Sequence, residues 1–164
     1  MRSGFSLGII ILFCLCASST AYAVEDEITT QVTQLKWPTL GKPASGSRTY
    51  IIHADGTADT GTGTKLYGTS SRGQYTLTKS GNGGGVHSIT IDIQNINSGN
   101  ANVTLSNFTG VYNGITITSF PRSGLPKPVN GAGTTLYLGA TATYTGSVPV
   151  GGLTPSFNIV VTYQ

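Results

Sequence analysis

Past Cys16 the chain has no cysteine, and Cys14 and Cys16 are the only two it contains. A catalytic thiol, a Cys-ligated metal, an iron–sulfur cluster and a disulfide are therefore excluded from everything downstream. Charge is nearly as scarce. Charged residues are 9% of the sequence, where an ordinary soluble domain has roughly 25%. Coiled coils and charge-driven disordered tails both need dense Lys and Glu, so neither fits. The formal charge is +3 with Arg2 included, and no dense basic run exists to neutralise a row of phosphates, which argues against nucleic-acid binding. Helical periodicity is missing too: no window beyond a few residues repeats its apolar positions every 3.6 residues.

What is present begins with a leader. Arg2 precedes an apolar run from Leu7 to Leu15, small polar residues follow, and Ala21-Tyr22-Ala23 closes the segment. A positive start, a short apolar centre and an Ala-x-Ala ending predict a secretory signal peptide over 1–23, cut between Ala23 and Val24. The run is too short to span about 30 Å of hydrocarbon, so no membrane span is expected in the mature form. Cys14 and Cys16 lack the small residue that precedes a lipidated cysteine. Removing the leader leaves 164 − 23 = 141 residues, with a charge balance of 8 − 6 = +2. That length suits one domain, 24–164, exported to the periplasm, the cell surface or the medium.

Gly occurs 23 times and Thr 25 times, and short alternating apolar runs recur between turn signals. This is the pattern of an all-β, immunoglobulin-like antiparallel sandwich. Strands are expected near Ile28–Leu35, Arg48–His53, Gln74–Lys79, Ser88–Ile93, Asn102–Leu105, Gly114–Ser119, Thr134–Leu138, Ala140–Tyr144 and Phe157–Tyr163. Asp55-Gly56 and Asn113-Gly114 supply the positive φ of tight turns. Pro121, Pro126 and Pro128 make Pro121–Pro128 a crossover loop rather than a central strand, and Thr57–Gly63 reads as a flexible loop.

Candidate chemistry is thin. Gly81–Gly85 runs into a strand with no Gly-Lys-Ser/Thr after it, so it reads as a hairpin loop rather than a phosphate cradle. His53, Asp55 and Asp59 are the only close metal-capable group. A calcium loop needs denser carboxylates, zinc needs a second His such as His87, and a turn explains Asp55 equally well. With Glu25, Asp26 and Glu27 crowded at the new N-terminus, only Asp55, Asp59 and Asp92 remain for a hydrolytic site, and no Gly-x-Ser-x-Gly elbow occurs. Nothing points to an enzyme, a metal or a cofactor. Tyr50, Tyr67, Tyr75, Tyr112, Tyr137, Tyr144, Tyr163 and Trp37 offer a sugar-stacking platform in principle, but one ring per strand fits core packing better. Asn102-Val103-Thr104 and Asn107-Phe108-Thr109 match the glycosylation acceptor pattern.

At the C-terminus Phe157, Ile159, Val161 and Tyr163 alternate with Asn158, Val160, Thr162 and Gln164, giving one wholly apolar strand face. Together with Leu35-x-Trp37-Pro38-x-Leu40-Gly41, Ser88–Ile93 and Leu136-Tyr137-Leu138-Gly139-Ala140, this run resembles a bacterial secreted family known only as domain of unknown function 4402. That family is similar in look to fimbrial and spore-coat-U-like subunits. The likeness spans most of 28–164, although Trp37-Pro38 stands where the family usually has Phe-Gly. The resemblance implies a sandwich and transfers no catalytic residue. Chaperone–usher pilins look similar at this end, with a penultimate aromatic and an upstream glycine, places that Tyr163 and Gly151 fill. That likeness implies strand pairing through Gly151, Phe157, Ile159, Val161 and Tyr163, with a homopolymer or a periplasmic chaperone and usher as partners. Val24, Ile28 and Val32 are the only apolar residues a donor strand near the N-terminus has to offer; that strand equally fits within its own sandwich.

The expected role is thus a structural or adhesive surface protein, fimbria-like, acting through strand pairing. A secreted carbohydrate-binding module that takes surface glycans, or a self-complete monomeric sandwich, are the alternatives. Intact-mass measurement of the exported protein checks the address: the mass should correspond to a chain starting at Val24 with no thiol, and a lipid adduct on Cys14 or Cys16 contradicts it.

Overall fold

The computed structural model describes residues 26–80, 88–148 and 151–164. The Ala23/Val24 cleavage site and the Gly81–Gly85 loop lie outside these residues. Twelve strands occur among them and no helix: β1 (Asp26–Thr33), β2 (Thr39–Leu40), β3 (Arg48–Ile52), β4 (Ala58–Asp59), β5 (Lys65–Tyr67), β6 (Gly73–Ser80), β7 (Ile89–Asn97), β8 (Val103–Tyr112), β9 (Ile115–Ile117), β10 (Arg122–Leu125), β11 (Thr134–Tyr144) and β12 (Ser156–Tyr163). All pairings between strands are antiparallel. The chain is a single-domain β-sandwich.

The larger sheet is built on β11. Along one edge, Thr134–Leu138 pairs with β6 and Ala140–Tyr144 pairs with β3. Along the other edge β11 pairs with β8. β1 extends the sheet beyond β6, β4 beyond β3 and β9 beyond β8. Gly139 sits where β6 hands over to β3. A Cβ there would collide with the Ile52 carbonyl oxygen and lie 2.6 Å from the Ala54 nitrogen. The backbone leaving β3 therefore crosses so close to β11 that only glycine fits.

Two asparagines in the left-handed region set how far the core faces of β8 and β7 run. β8 buries Val103 and Leu105, then Phe108 and Tyr112, a change from odd to even positions. Asn107, at φ 49°, lies in the register irregularity opposite Gly139–Thr141. One extra residue shifts the phase by one and returns the apolar residues to the core. In β7, Ile89, Ile91 and Ile93 are buried. Asn95, at φ 52°, then interrupts the pairing with β12, and Ile96 is exposed.

The second layer is β10-β7-β12, and β2-β5 forms a small third sheet. Trp37, fully buried, donates from Nε1 to the Tyr50 carbonyl at 3.1 Å and exchanges backbone hydrogen bonds with Leu153. The segment ahead of β2 is thereby tied both to the large sheet and to the chain leading into β12.

Most expected strands occur, with four corrections. Arg122–Leu125 is a strand inside the stretch read as a loop; it pairs only with β7, and an edge position tolerates the flanking prolines. Thr134–Leu138 and Ala140–Tyr144 are one strand, continuous through Gly139. Asn102–Leu105 extends to Tyr112 because the bulge hides the alternation, and Thr57–Gly63 contains β4. The expected turn at Asn113-Gly114 joins β8 to β9, with Tyr112 paired to Ile115.

Replacing Gly139 by Ala should lower the stability of the fold by about 1–3 kcal/mol, the usual cost of overpacking, as measured by urea denaturation. An unchanged midpoint would mean that the His53–Ala54 backbone moves aside freely.

Candidate functional site

A strand inside a sheet is covered by neighbours on both edges. Among the described residues β12 has only one neighbour, β7, paired from Ser156–Asn97 to Tyr163–Ile89. The consequence shows in its side chains. Phe157, Ile159, Val161 and Tyr163 pack against the core yet all stay half-buried, while Ile89, Ile91 and Ile93 of β7 are buried. Phe157 is held edge-on by Tyr75 of β6, with centroids 5.9 Å apart, and by Phe108 of β8 at 5.5 Å. Such aromatic pairs fix ring orientation as well as burying area.

Beside this edge runs an open groove of about 510 Å³, walled by Gln31, Gln34 and Tyr75 on one side and by Pro155–Val160 on the other. On the first wall Gln31 belongs to β1, Gln34 follows it and Tyr75 stands on β6. β1 pairs with β6 from Asp26–Ser80 to Thr33–Gln74. Its residues Thr30, Gln31, Val32 and Thr33 are all exposed, Val32 by 56%. The reading of the first strand as part of its own sandwich holds for hydrogen bonding but not for packing at Val32. Ile28 lies opposite Thr78, and Val24 lies outside the described residues.

Gly151 takes φ 96° in open space. Its neighbour Gly152 is the crowded one, because a Cβ there would run into the Trp37 carbonyl oxygen. The sequence reading missed Gly152; the signal was the adjacent Gly-Gly pair, in which both residues have positive φ.

Asp55, Asp59 and Asp92 are occupied locally. Asp55 Oδ1 accepts from the Thr57 hydroxyl at 2.7 Å and from the Thr57 N–H at 2.8 Å, and these bonds hold its carboxyl below the usual range. Asp59 Oδ1 accepts from the Gly61 N–H at 2.7 Å. Asp92 accepts from the Ile93 N–H and from Gln94 Nε2, each at 2.8 Å. Asp55, between β3 and β4, and Asp59, at the end of β4, both act as turn-forming acceptors. Among the described residues no three His, Cys, Asp or Glu side chains gather into a metal site; His53 is exposed and His87 lies outside those residues.

The rings go to different places. Trp37, Tyr50, Tyr75, Tyr112 and Tyr144 are buried, and Tyr137 lies under the Arg72 guanidinium at 3.6 Å. Tyr67 is 48% exposed. Asn102 and Asn107 are both exposed. Among the described residues no helix is long and apolar enough to cross a membrane. Comparison with family models, curated proteins and solved structures finds no match to this chain.

The half-covered state of β12 can be measured by paired truncations. Ile91→Ala, at a fully buried site, should cost about 2–5 kcal/mol. Ile159→Ala should cost less than about half as much, because part of its surface already meets water. Equal losses would show that β12 is as well covered as β7.

Proposed function

We propose that this is an exported structural or adhesive surface protein, a fimbria-like subunit of immunoglobulin-like type that acts through strand pairing along the free edge of β12. The observation that carries the reading is the contrast between β12 and the other edges. β4 has two residues and β9 three. β10 has four, carries the exposed Arg122, and pairs irregularly between Arg122 and Leu125. β1 carries Asp26 and Glu27. Shortness, charge and irregularity are the devices that keep sheet edges from pairing with other chains. β12 has eight residues, Ser-Phe-Asn-Ile-Val-Val-Thr-Tyr, with no charge and no proline. Its one register shift lies at the Ser156–Asn158 end, and from Asn158 to Tyr163 an added strand would find backbone groups along the edge and half-covered apolar side chains beneath it.

The occupant in this reading is the N-terminal strand of a second copy, with a periplasmic chaperone holding the site before assembly. Ile28 and Val32 are the apolar residues on β1, and Val32 makes little use of the subunit's own core. The role in this reading is non-enzymatic, in keeping with Asp55, Asp59 and Asp92 engaged in turn and strand hydrogen bonds. Secretion and the relationship to domain of unknown function 4402 belong to the same proposal.

Wild type and the double variant Ile28→Asp with Val32→Asp are expressed in the native export background and sized by gel filtration. Polymers are expected from the wild type, and a folded protein that does not polymerise from the variant. A monomeric wild type overturns the assembly reading and leaves the secreted binding module ahead.

A further inference from the structure

The fold gathers positive charge that the sequence spreads out. The Gly41 N–H donates to the Thr64 carbonyl at 3.0 Å, which places Lys42 beside the start of β5. The Gly63 N–H donates to the Thr49 carbonyl at 3.0 Å, which brings Arg48 to the same stretch from the other side. Lys65 is the first residue of β5 itself. Lys42 and Lys65 are exposed and Arg48 is half-buried. The nearest acid in this loop is Asp59, whose carboxylate is hydrogen-bonded to the Gly61 N–H.

β5 adds an aromatic ring to these cations. It is paired only with β2, and all three of its residues are exposed. Leu66 lies against Gly41, where a Cβ would come 3.3 Å from Leu66 Cδ2. Strand alternation then puts Lys65 and Tyr67 together on the opposite face. Tyr67 is 48% exposed, while the Trp37 ring and four other tyrosines of the described residues are buried. An exposed ring beside an ammonium, with two more cations along the same Thr- and Gly-rich edge, matches one ligand chemistry. The ring accepts the apolar face of a sugar, and the cations meet carboxylates or sulfates repeated along a chain.

We infer that the β5 flap binds an acidic polysaccharide, with Tyr67 stacked on a sugar ring and Lys42, Arg48 and Lys65 engaging its anionic groups. This site rests on the adhesive side of the proposed function and is built from strands other than β1 and β12. Failure of one therefore leaves the other standing.

Calorimetric titration of the exported wild type with polygalacturonate and with heparin tests it, with dextran as the neutral control. Saturable binding to at least one acidic polymer is expected, none to dextran, and weakening as added salt shortens the screening length. Tyr67→Ala should weaken binding tenfold or more, and Lys42→Ser with Lys65→Ser should do the same, with unchanged circular dichroism and unchanged gel-filtration size. In wild type, bound polymer should protect Lys42 and Lys65, but not Lys127, from amine acetylation. That measurement stands even if a variant does not fold. Absence of binding, equal binding to dextran, or equal labelling of the three lysines overturns the inference. So does full affinity in Tyr67→Ala, which would mean unspecific charge adsorption. Tyr67-dependent binding to phosphatidylglycerol vesicles without binding to either acidic polymer would mark the flap as a membrane contact instead, and overturns it as well.

Discussion

With no cysteine past Cys16, the sheet hydrogen bonds of β11 do the work that a disulfide does in many small domains. β11 is paired along both edges over most of its length, to β6 and β3 on one side and to β8 on the other. Its inner face contributes Leu136, Leu138, Ala140, Ala142 and Tyr144 to the core. Large and small residues are segregated along that face for a reason. Leucines fill the half under β6, and alanines leave room in the half where β3 and Tyr50 pack. The tightest point along β11 is Gly139, where the Ile52–Ala54 backbone comes too close for any side chain. Every partner of β11 lies far from it in sequence, so the sheet forms only after long loops close, and folding should be slow relative to helical domains of similar size.

The same geometry explains which parts of the fold the sequence disclosed. Strands whose apolar residues alternate without interruption were legible, and Asn113-Gly114 marked its hairpin because positive φ at two consecutive positions demands those residue types. Strands with a bulge were not. Asn107 and Asn95 occupy left-handed conformations, and each breaks the period-two pattern at the point where the fold restores or ends burial. Read without the bulge, Leu105 and Phe108 belong to opposite faces; in the sheet they share one. β2 and β5, with two and three residues, are too short to carry any periodicity. Their pairing depends on where Trp37 is anchored, which is a tertiary fact.

The candidate sites divide in the same way. The apolar face of β12 was plain in the sequence, because alternation over eight residues is a strong signal. Its incomplete cover was not, since burial depends on the neighbour that an edge lacks. The exposed side of β1 was invisible for the opposite reason. Val32 is apolar by type, and only its place in the register shift between Gln31 and Thr33 leaves it in solvent with the polar Thr30, Gln31 and Thr33. The cations of the β5 flap come from positions 42, 48 and 65, and hydrogen bonds from Gly41 and Gly63 bring them together. A search for a contiguous basic run could not have found them.

Low charge and an unprotected edge are connected. The outward faces of these sheets owe their polarity largely to threonine, as at Thr76, Thr78, Thr104, Thr109 and Thr143, a residue that suits a pleated strand and still hydrogen-bonds water. Faces dressed in this way repel other chains only weakly, because hydroxyls carry no net charge. Selectivity in pairing then falls to the edges, and there the few available devices are placed unevenly. Asp26 and Glu27 stand on β1, Arg122 on β10, and β4 and β9 are cut short. Among the described residues β12 alone is long, uncharged and half-covered. An edge of that kind promotes indiscriminate aggregation unless a particular strand occupies it. Leaving one edge open while blunting the others restricts association to a single direction. That restriction is what the proposed role requires, since a subunit that assembles end to end must pair along one edge without precipitating through the others.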